Sequence, residues 1–234
     1  MLDDYGDQIY LIGDVHGCYK TLCTLIDRLP RGADSKICFV GDLIDRGEGS
    51  FEVVQLAMRC GYAAVMGNHE YRLLQHKDAF LRGETPSDPR WFYLNGGAQT
   101  FASYDKASRT QKLAHIEFLS NLPLYLEFAE FKNAQGRRLV ASHSAIGRMW
   151  ALRNSHGDSA AEFRRHVLCG RGDFSQNEGV FNVYGHTPIA SPDITEFSAN
   201  IDTGCVYKQD FGCLCALEFP SMRVFMQENI EDGE

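Results

Sequence analysis

The chain has 234 residues, with 23 Lys and Arg against 31 Asp and Glu, for a formal net charge of −8. This length suits one compact domain spanning 1–234 that buries ~70–75% of its unfolded surface without disulfides or a structural metal, and 44% hydrophobic residues exclude a disordered chain. The acidic balance argues against nonspecific binding to nucleic acid or to an anionic membrane; no apolar run reaches the ~18–20 residues of a spanning helix, and Met1-Leu2-Asp3-Asp4-Tyr5 lacks the build of a signal peptide, so a cytoplasmic protein is expected.

Ile9-Tyr10-Leu11-Ile12 is the first of several short apolar runs that end on polar residues, here Gly13-Asp14. Leu22, Leu25, Ile26 and Leu29 follow at helical spacing, closed by Pro30 and Gly32. The run Ile37 to Val40 stops at Gly41-Asp42, and Phe51, Val54 and Met58 mark a second helix with Ser50 as its expected N-cap. Ala63 to Met66 stops at Gly67-Asn68-His69; Leu73, Leu74, Phe80 and Leu81 mark a third helix, ended by Gly83. Leu113, Ile116 and Leu119 mark a fourth, with Thr110 as N-cap and Pro123 as stop. Leu139 to Ala141 leads into Ser142-His143, and Val180 to Tyr184 stops at Gly185-His186. Cys213 to Phe219 and Met222 to Met226 read as a hairpin through Pro220-Ser221. Short runs rich in β-branched and aromatic residues read as buried strands, and their alternation with helices implies an α/β sandwich. The eight cysteines are scattered without a CxxC pair, so reduced thiols are expected, with Cys213 and Cys215 on one strand face.

In open α/β sheets, ligands bind beyond the carboxyl ends of the strands. Five strand ends therefore deliver Asp14 and His16, Asp42 and Asp45, Asn68 and His69, His143, and His186 to one edge. Each residue alone reads as a turn, a cap or a hydrogen-bonded histidine. Jointly, five apolar runs each ending in metal-capable side chains beside glycines point to a metal site. Carboxylate, imidazole and amide ligands without thiolate suit ions such as Mn, Fe or Zn.

Gly13-Asp14-Val15-His16-Gly17, Gly41-Asp42-Leu43-Ile44-Asp45-Arg46-Gly47 and Gly67-Asn68-His69-Glu70 resemble the three signature motifs of the calcineurin-like metallophosphoesterases. Tyr184 to Pro188 and Ile201 to Gly204 resemble C-terminal motifs of the serine/threonine phosphoprotein phosphatase branch, and Trp91 to Gly97 resembles a stretch of its small phage and bacterial members. The resemblance implies an α/β fold, a four-layer αββα sandwich of two mixed sheets flanked by helices, with a dinuclear metal site at strand C-terminal ends. It implies two divalent ions, Mn first and Fe or Zn as alternatives, held by Asp14, His16, Asp42, Asn68, His143 and His186. It implies His69 as general acid, Asp45 orienting it, and Arg46 and Arg171 gripping phosphate oxygens. Arg164 and Arg165 are rivals of Arg171 or surface residues of a helix.

On that resemblance the expected activity is hydrolysis of phosphoserine and phosphothreonine monoesters, with phosphotyrosine also in view, by direct attack of metal-activated water. The partner is then a phosphorylated protein or peptide. The alternative is a dinucleoside polyphosphate hydrolase; that relative often lacks the second-motif Asp and ends the third motif in Asp, so Asp45 and Glu70 favour the phosphatase. A non-catalytic phosphopeptide- or metal-binding module ranks third, because every expected ligand is present.

Overall fold

The computed structural model describes residues 8–172 and 176–232, so the opening Met1–Tyr5 lies outside the described residues. The first half alternates strand and helix: β1 (Ile9–Ile12), α1 (Tyr19–Asp27), β2 (Ile37–Phe39), α2 (Ser50–Cys60) and β3 (Ala63–Ala64). A helical stretch follows, with α3 (Asn68–Gln75), α4 (Lys77–Arg82), α5 (Pro89–Leu94), α6 (Gly97–Ser103) and α7 (Arg109–Ser120). The second half holds β4 (Tyr125–Lys132), β5 (Arg138–Ser142), α8 (Gly157–Cys169), β6 (Val180–Tyr184), β7 (Asp193–Ile194), β8 (Ser198–Asn200), β9 (Cys213–Phe219) and β10 (Arg223–Glu228).

These strands form two five-stranded mixed sheets, β10-β9-β1-β2-β3 and β4-β5-β6-β8-β7. In the first, β1, β2 and β3 are parallel and the β9–β10 hairpin pairs antiparallel with β1. In the second, β5, β6 and β8 are parallel, with β4 and β7 antiparallel at the edges. Successive strand residues point to opposite faces, and both faces are covered here. Ile9, Leu11, Cys38 and Val40 pack against Leu139, Ala141, Phe181 and Val183 in the core between the sheets. Tyr10 and Ile12 turn the other way, onto Leu22 and Leu25 of α1 and Val53 and Val54 of α2. Val140 and Val180 turn outward onto Trp150, Phe163 and Val167. The result is the four-layer helix–sheet–sheet–helix sandwich. Double coverage explains why the parallel strands read as unbroken apolar runs rather than alternating ones.

Several boundaries depart from the sequence reading for local reasons. Ser50 begins α2 without capping it, because its Oγ accepts the Asp45 N–H at 3.1 Å instead. The expected third helix is two helices broken at His76, whose ring stacks on Trp91 at 5.3 Å. Ser108 rather than Thr110 caps α7, in a reciprocal pair with Gln111. The run from Ala63 leaves the sheet early, since the Met66 N–H donates to Pro123 O at 2.8 Å. The edge strand β4 and the helices α5 and α6 add to the sequence reading, and α8 is the helix that carries Arg164 and Arg165. Among the described residues, no helix is long and apolar enough to cross a membrane.

Candidate active site

The loops after the parallel strands are laced together by their backbones. The N–H groups of Val15 and His16 donate to Asp42 O at 3.1 and 2.9 Å, and Gly185 N–H donates to His143 O at 2.9 Å. Glu70, fully buried in the first turn of α3, binds four more backbone donors. Its carboxylate accepts from Asp42 at 2.9 Å, Leu43 at 2.8 Å, Ile44 at 3.3 Å and Gly67 at 2.9 Å. Under that clamp the chain takes unusual turns. His16, Asp42, Asp45, Arg46 and His186 all have positive φ, between 46° and 72°, where residues other than glycine rarely sit. Gly41 is obligatory at φ 98°, since a Cβ there would lie 2.8 Å from both His143 Nδ1 and Gly67 N.

Two groups of ligand-capable side chains converge at this edge. His16, Asp42 and His69 form one, and Asp42, His143 and His186 the other, each with its donor atoms within 4.8 Å of one another. Asn68 Oδ1 stands 2.9 Å from His143 Nε2. Asp14 lines the same cavity, belongs to neither group, and accepts the His186 backbone N–H at 3.2 Å on both oxygens. The Nδ1 atoms of His16 and His143 each lie 2.9 Å from a backbone carbonyl, of Ile44 and Val40. A carbonyl only accepts, so those nitrogens carry the proton and both Nε2 lone pairs lie on the Asp42 side of the rings. His143 Nε2 lies 3.4 Å from Asp42 Oδ1, and His16 Nε2 lies 3.5 Å from Asp42 Oδ2.

The electrostatics fit divalent cations. Burial pushes the His16 and His143 imidazoles below their usual pKa, and burial with the neighbouring His143 takes His186 down to about 3, so burial favours the uncharged form that can offer a lone pair to a cation. Burial would raise the Asp42 carboxyl, but the surrounding His143, His69, His16 and His186 outweigh it and hold Asp42 well below the usual carboxylate range. Burial and the charges of Asp202 and Asp42 push Asp14 well up; burial and Asp42 push Asp202 up to about 7. Neutral nitrogens and crowded buried carboxyls aiming lone pairs into one space are what a pair of cations relieves.

His69 is built differently. Its Nδ1 lies 2.6 Å from Asp45 Oδ2, and its Nε2 lies 3.8 Å from Asp42 Oδ2. Burial alone would lower its pKa, but the Asp42 charge and the Asp45 hydrogen bond outweigh burial and leave it raised. Asp45, fully buried, also accepts from Trp91 Nε1 at 2.7 Å and from the Thr100 hydroxyl. Trp91 and Thr100 sit on α5 and α6. Neither carries a signal of this partnership in the sequence: a single indole and a single threonine among ordinary helical residues do not announce a carboxylate far along the chain.

The site opens into a cavity of about 860 Å³ whose wall carries Arg46, Arg72, Arg90, Arg164, Arg165 and Arg171. Arg46 lies against His16 Nε2. Arg164 and Arg165 are exposed residues of α8, as expected of a helix surface, and they line the same cavity as Arg171. Among acidic residues, Asp14, Asp42, Asp88 and Asp202 line it. Asp202 was quoted from the sequence within a motif but given no role. His115, by contrast, is buried away from the site, bonded to Tyr104 Oη at 2.7 Å.

Residues 8–190 match the family described as calcineurin-like phosphoesterase. The chain is 33% identical to a bis(5'-nucleosyl)-tetraphosphatase PrpE [asymmetrical] of Halalkalibacterium halodurans, covering 92% of this chain and 91% of that protein. It is 30% identical to the protein of the same name in Geobacillus thermodenitrificans, over the same shares. The structure resembles that of a candidate diadenosine tetraphosphatase, with TM-score 0.70, 19% identity and coverage of 99% and 97%. It also resembles a Saccharomyces cerevisiae protein serine/threonine phosphatase similar to human phosphatase PP5, with TM-score 0.58, 14% identity and coverage of 100% and 83%; at these identities the likeness is one of fold. The named relatives overturn the expected phosphoprotein phosphatase and its phosphorylated protein or peptide partner. The physical reason lies in the two residues that favoured that expectation. Glu70 is spent on four backbone N–H groups and Asp45 on His69, Trp91 and Thr100, so neither faces a substrate and neither discriminates one.

Proposed function

The chain belongs to the calcineurin-like phosphoesterases, a metal-dependent hydrolase family, and on that footing we propose that it cleaves bis(5'-nucleosyl) tetraphosphates asymmetrically. An unequal cut of a four-phosphate chain yields a nucleoside monophosphate and a nucleoside triphosphate. The observation that carries this reading is the arginine wall. Six arginines and four aspartates line a cavity of about 860 Å³, with Arg72 paired to Asp88 at 3.2 Å and the other five arginines outnumbering the remaining three aspartates, in a protein whose net charge is −8. That volume lies toward the upper end of the roughly 300–1,000 Å³ of small-molecule sites. A phosphomonoester needs one or two arginines; a tetraphosphate, with about four negative charges, uses a row of them, each able to grip two oxygens. The shared name of relatives matched over most of both chains supports the same substrate class.

Asp14, His16, Asp42, Asn68, His143 and His186 would hold two divalent ions, with Mn as our proposal for both. When bound, the ions supply Lewis acidity at the phosphoryl oxygens and a nucleophile from water at neutral pH. The protein supplies the rest. Asp45 fixes the His69 ring so that Nε2 faces the cavity, where it holds the proton for the leaving oxygen. Arg46 and Arg171 bind the phosphoryl group undergoing cleavage, and the remaining arginines bind the polyphosphate arm.

The test is a substrate panel on the metal-loaded enzyme. Diadenosine tetraphosphate should be cleaved with kcat/KM at least 100-fold above that for a phosphoserine peptide, with AMP and ATP as products. Two ADP, or preference for the peptide, would reject the assignment.

A further inference from the structure

We propose that a second cavity, about 630 Å³ and walled off from the first by Arg46 and Tyr207, is the subsite for the nucleoside on the phosphate that water attacks. This inference rests on the substrate class proposed above and adds which half of the substrate lies where.

The two cavities share Arg46 and Tyr207 in their linings. The Arg46 guanidinium lies against His16 on one side and over the Tyr207 ring on the other, 5.2 Å from its centroid. The partition between the metal-ligand cluster and the second cavity is thus one side chain thick. A phosphate held on Arg46 has its attached nucleoside within reach of that cavity.

The linings differ in charge and sort the substrate. The second cavity carries Glu48, Glu52, Asp210, Glu231 and Asp232 against Lys20, Lys208 and Arg46. Lys20 is paired with Asp232, and Lys208 Nζ donates to Glu231 O at 2.7 Å. A lining with excess carboxylate repels a polyphosphate but accepts hydrogen bonds from ribose hydroxyls and an exocyclic amine. Tyr19, Val206 and the Tyr207 ring give it apolar surface for a base. The first cavity has the opposite bias, six arginines against four aspartates.

His69 lines only the arginine-rich cavity. A proton delivered from His69 therefore goes to an oxygen on that side, and the leaving arm departs there. The water oxygen bonds to the α-phosphorus of the nucleotide seated in the second cavity. The bond from that phosphorus to the α–β bridging oxygen breaks; its electron pair stays on the bridging oxygen, which becomes the terminal oxygen of the departing triphosphate. The short arm needs room for one phosphate and the long arm for three, and the charge of each cavity matches its arm.

Hydrolysis of diadenosine tetraphosphate by the metal-loaded wild-type enzyme in ¹⁸O-water reads the direction of attack. The proposal requires the label in AMP. Label in the γ-phosphate of ATP means attack from the other side and overturns it while leaving the substrate assignment intact; absence of hydrolysis overturns both. A second measurement fills the cavity. In Val206→Trp, the ratio of kcat/KM for diadenosine tetraphosphate to that for inorganic tetraphosphate, which has no nucleoside, should fall about tenfold. An unchanged ratio in a folded variant would refute the subsite.

Discussion

Glu70→Gln separates a residue that holds the site together from one that reads the substrate. In the wild type, Glu70 Oε2 receives the N–H groups of Asp42 and Gly67, and Oε1 those of Leu43 and Ile44. Glutamine keeps the shape but replaces one oxygen with an NH₂ group. Whichever way the amide turns, two backbone donors then face another donor. Each buried N–H left without a partner costs ~1–3 kcal/mol, so the variant should lose ~2–6 kcal/mol. For a chain of this size ~1 kcal/mol moves Tm by about 2–4 °C, which gives a fall of roughly 5–20 °C. The loop it releases carries Asp42, so affinity for divalent ions should fall too. The assays are thermal melts with and without added metal, and kcat/KM for diadenosine tetraphosphate and a phosphopeptide. A Tm shift of less than ~1 °C, or a change of more than tenfold in the ratio of the two substrates, would refute a purely structural role for Glu70.

Trp91→Phe keeps the ring against His76 and removes the indole donor from buried Asp45; at ~1.5–3 kcal/mol for a bond to a charged group, kcat should drop about 10- to 100-fold with KM little changed, and an unaltered kcat in steady-state assays would count against the Trp91–Asp45–His69 connection. Arg164→Ala combined with Arg165→Ala should raise KM for diadenosine tetraphosphate several-fold more than KM for para-nitrophenyl phosphate, because only the longer substrate reaches α8; equal changes would place the polyphosphate elsewhere. Burial lowers the His115 pKa to about 4, against ~6.5 in the unfolded chain. The unfolded chain therefore takes up a proton that the folded chain refuses, and stability falls as pH drops from about 6.5 towards 4, by ~3 kcal/mol in total. His115→Gln should flatten that part of the stability–pH curve measured by urea melts, and a parallel curve would contradict the assignment.

The convergence of the candidate site was legible because its information is local. Asp14, His16, Asp42, Asn68, His69, His143 and His186 each follow an apolar run within a few residues, and strands covered on both faces must read as such runs. What escaped depends on partners far along the chain. β4 is an edge strand whose outward Glu127, Glu130 and Lys132 break the apolar pattern. In α8 the buried Phe163, Val167 and Leu168 are set among Arg164, Arg165 and His166, and nothing in the sequence says that those two arginines line a cavity shared with residues from distant loops. Thr100 and Trp91 matter through Asp45, about half a hundred residues earlier in the chain. Glu70 misled because a residue type tied to a branch of a family was taken to report on substrate, when its partners are backbone amides.

Five residues of the site other than glycine sit in left-handed backbone geometry. At ~1–2 kcal/mol each, they draw roughly 5–10 kcal/mol from the packing around them, about as much as the whole ~5–15 kcal/mol margin of a typical domain. The working edge is thus a spring held compressed by the sandwich behind it. Weakening the core anywhere should slacken that edge first, so warming ought to extinguish turnover several degrees before the bulk of the molecule melts.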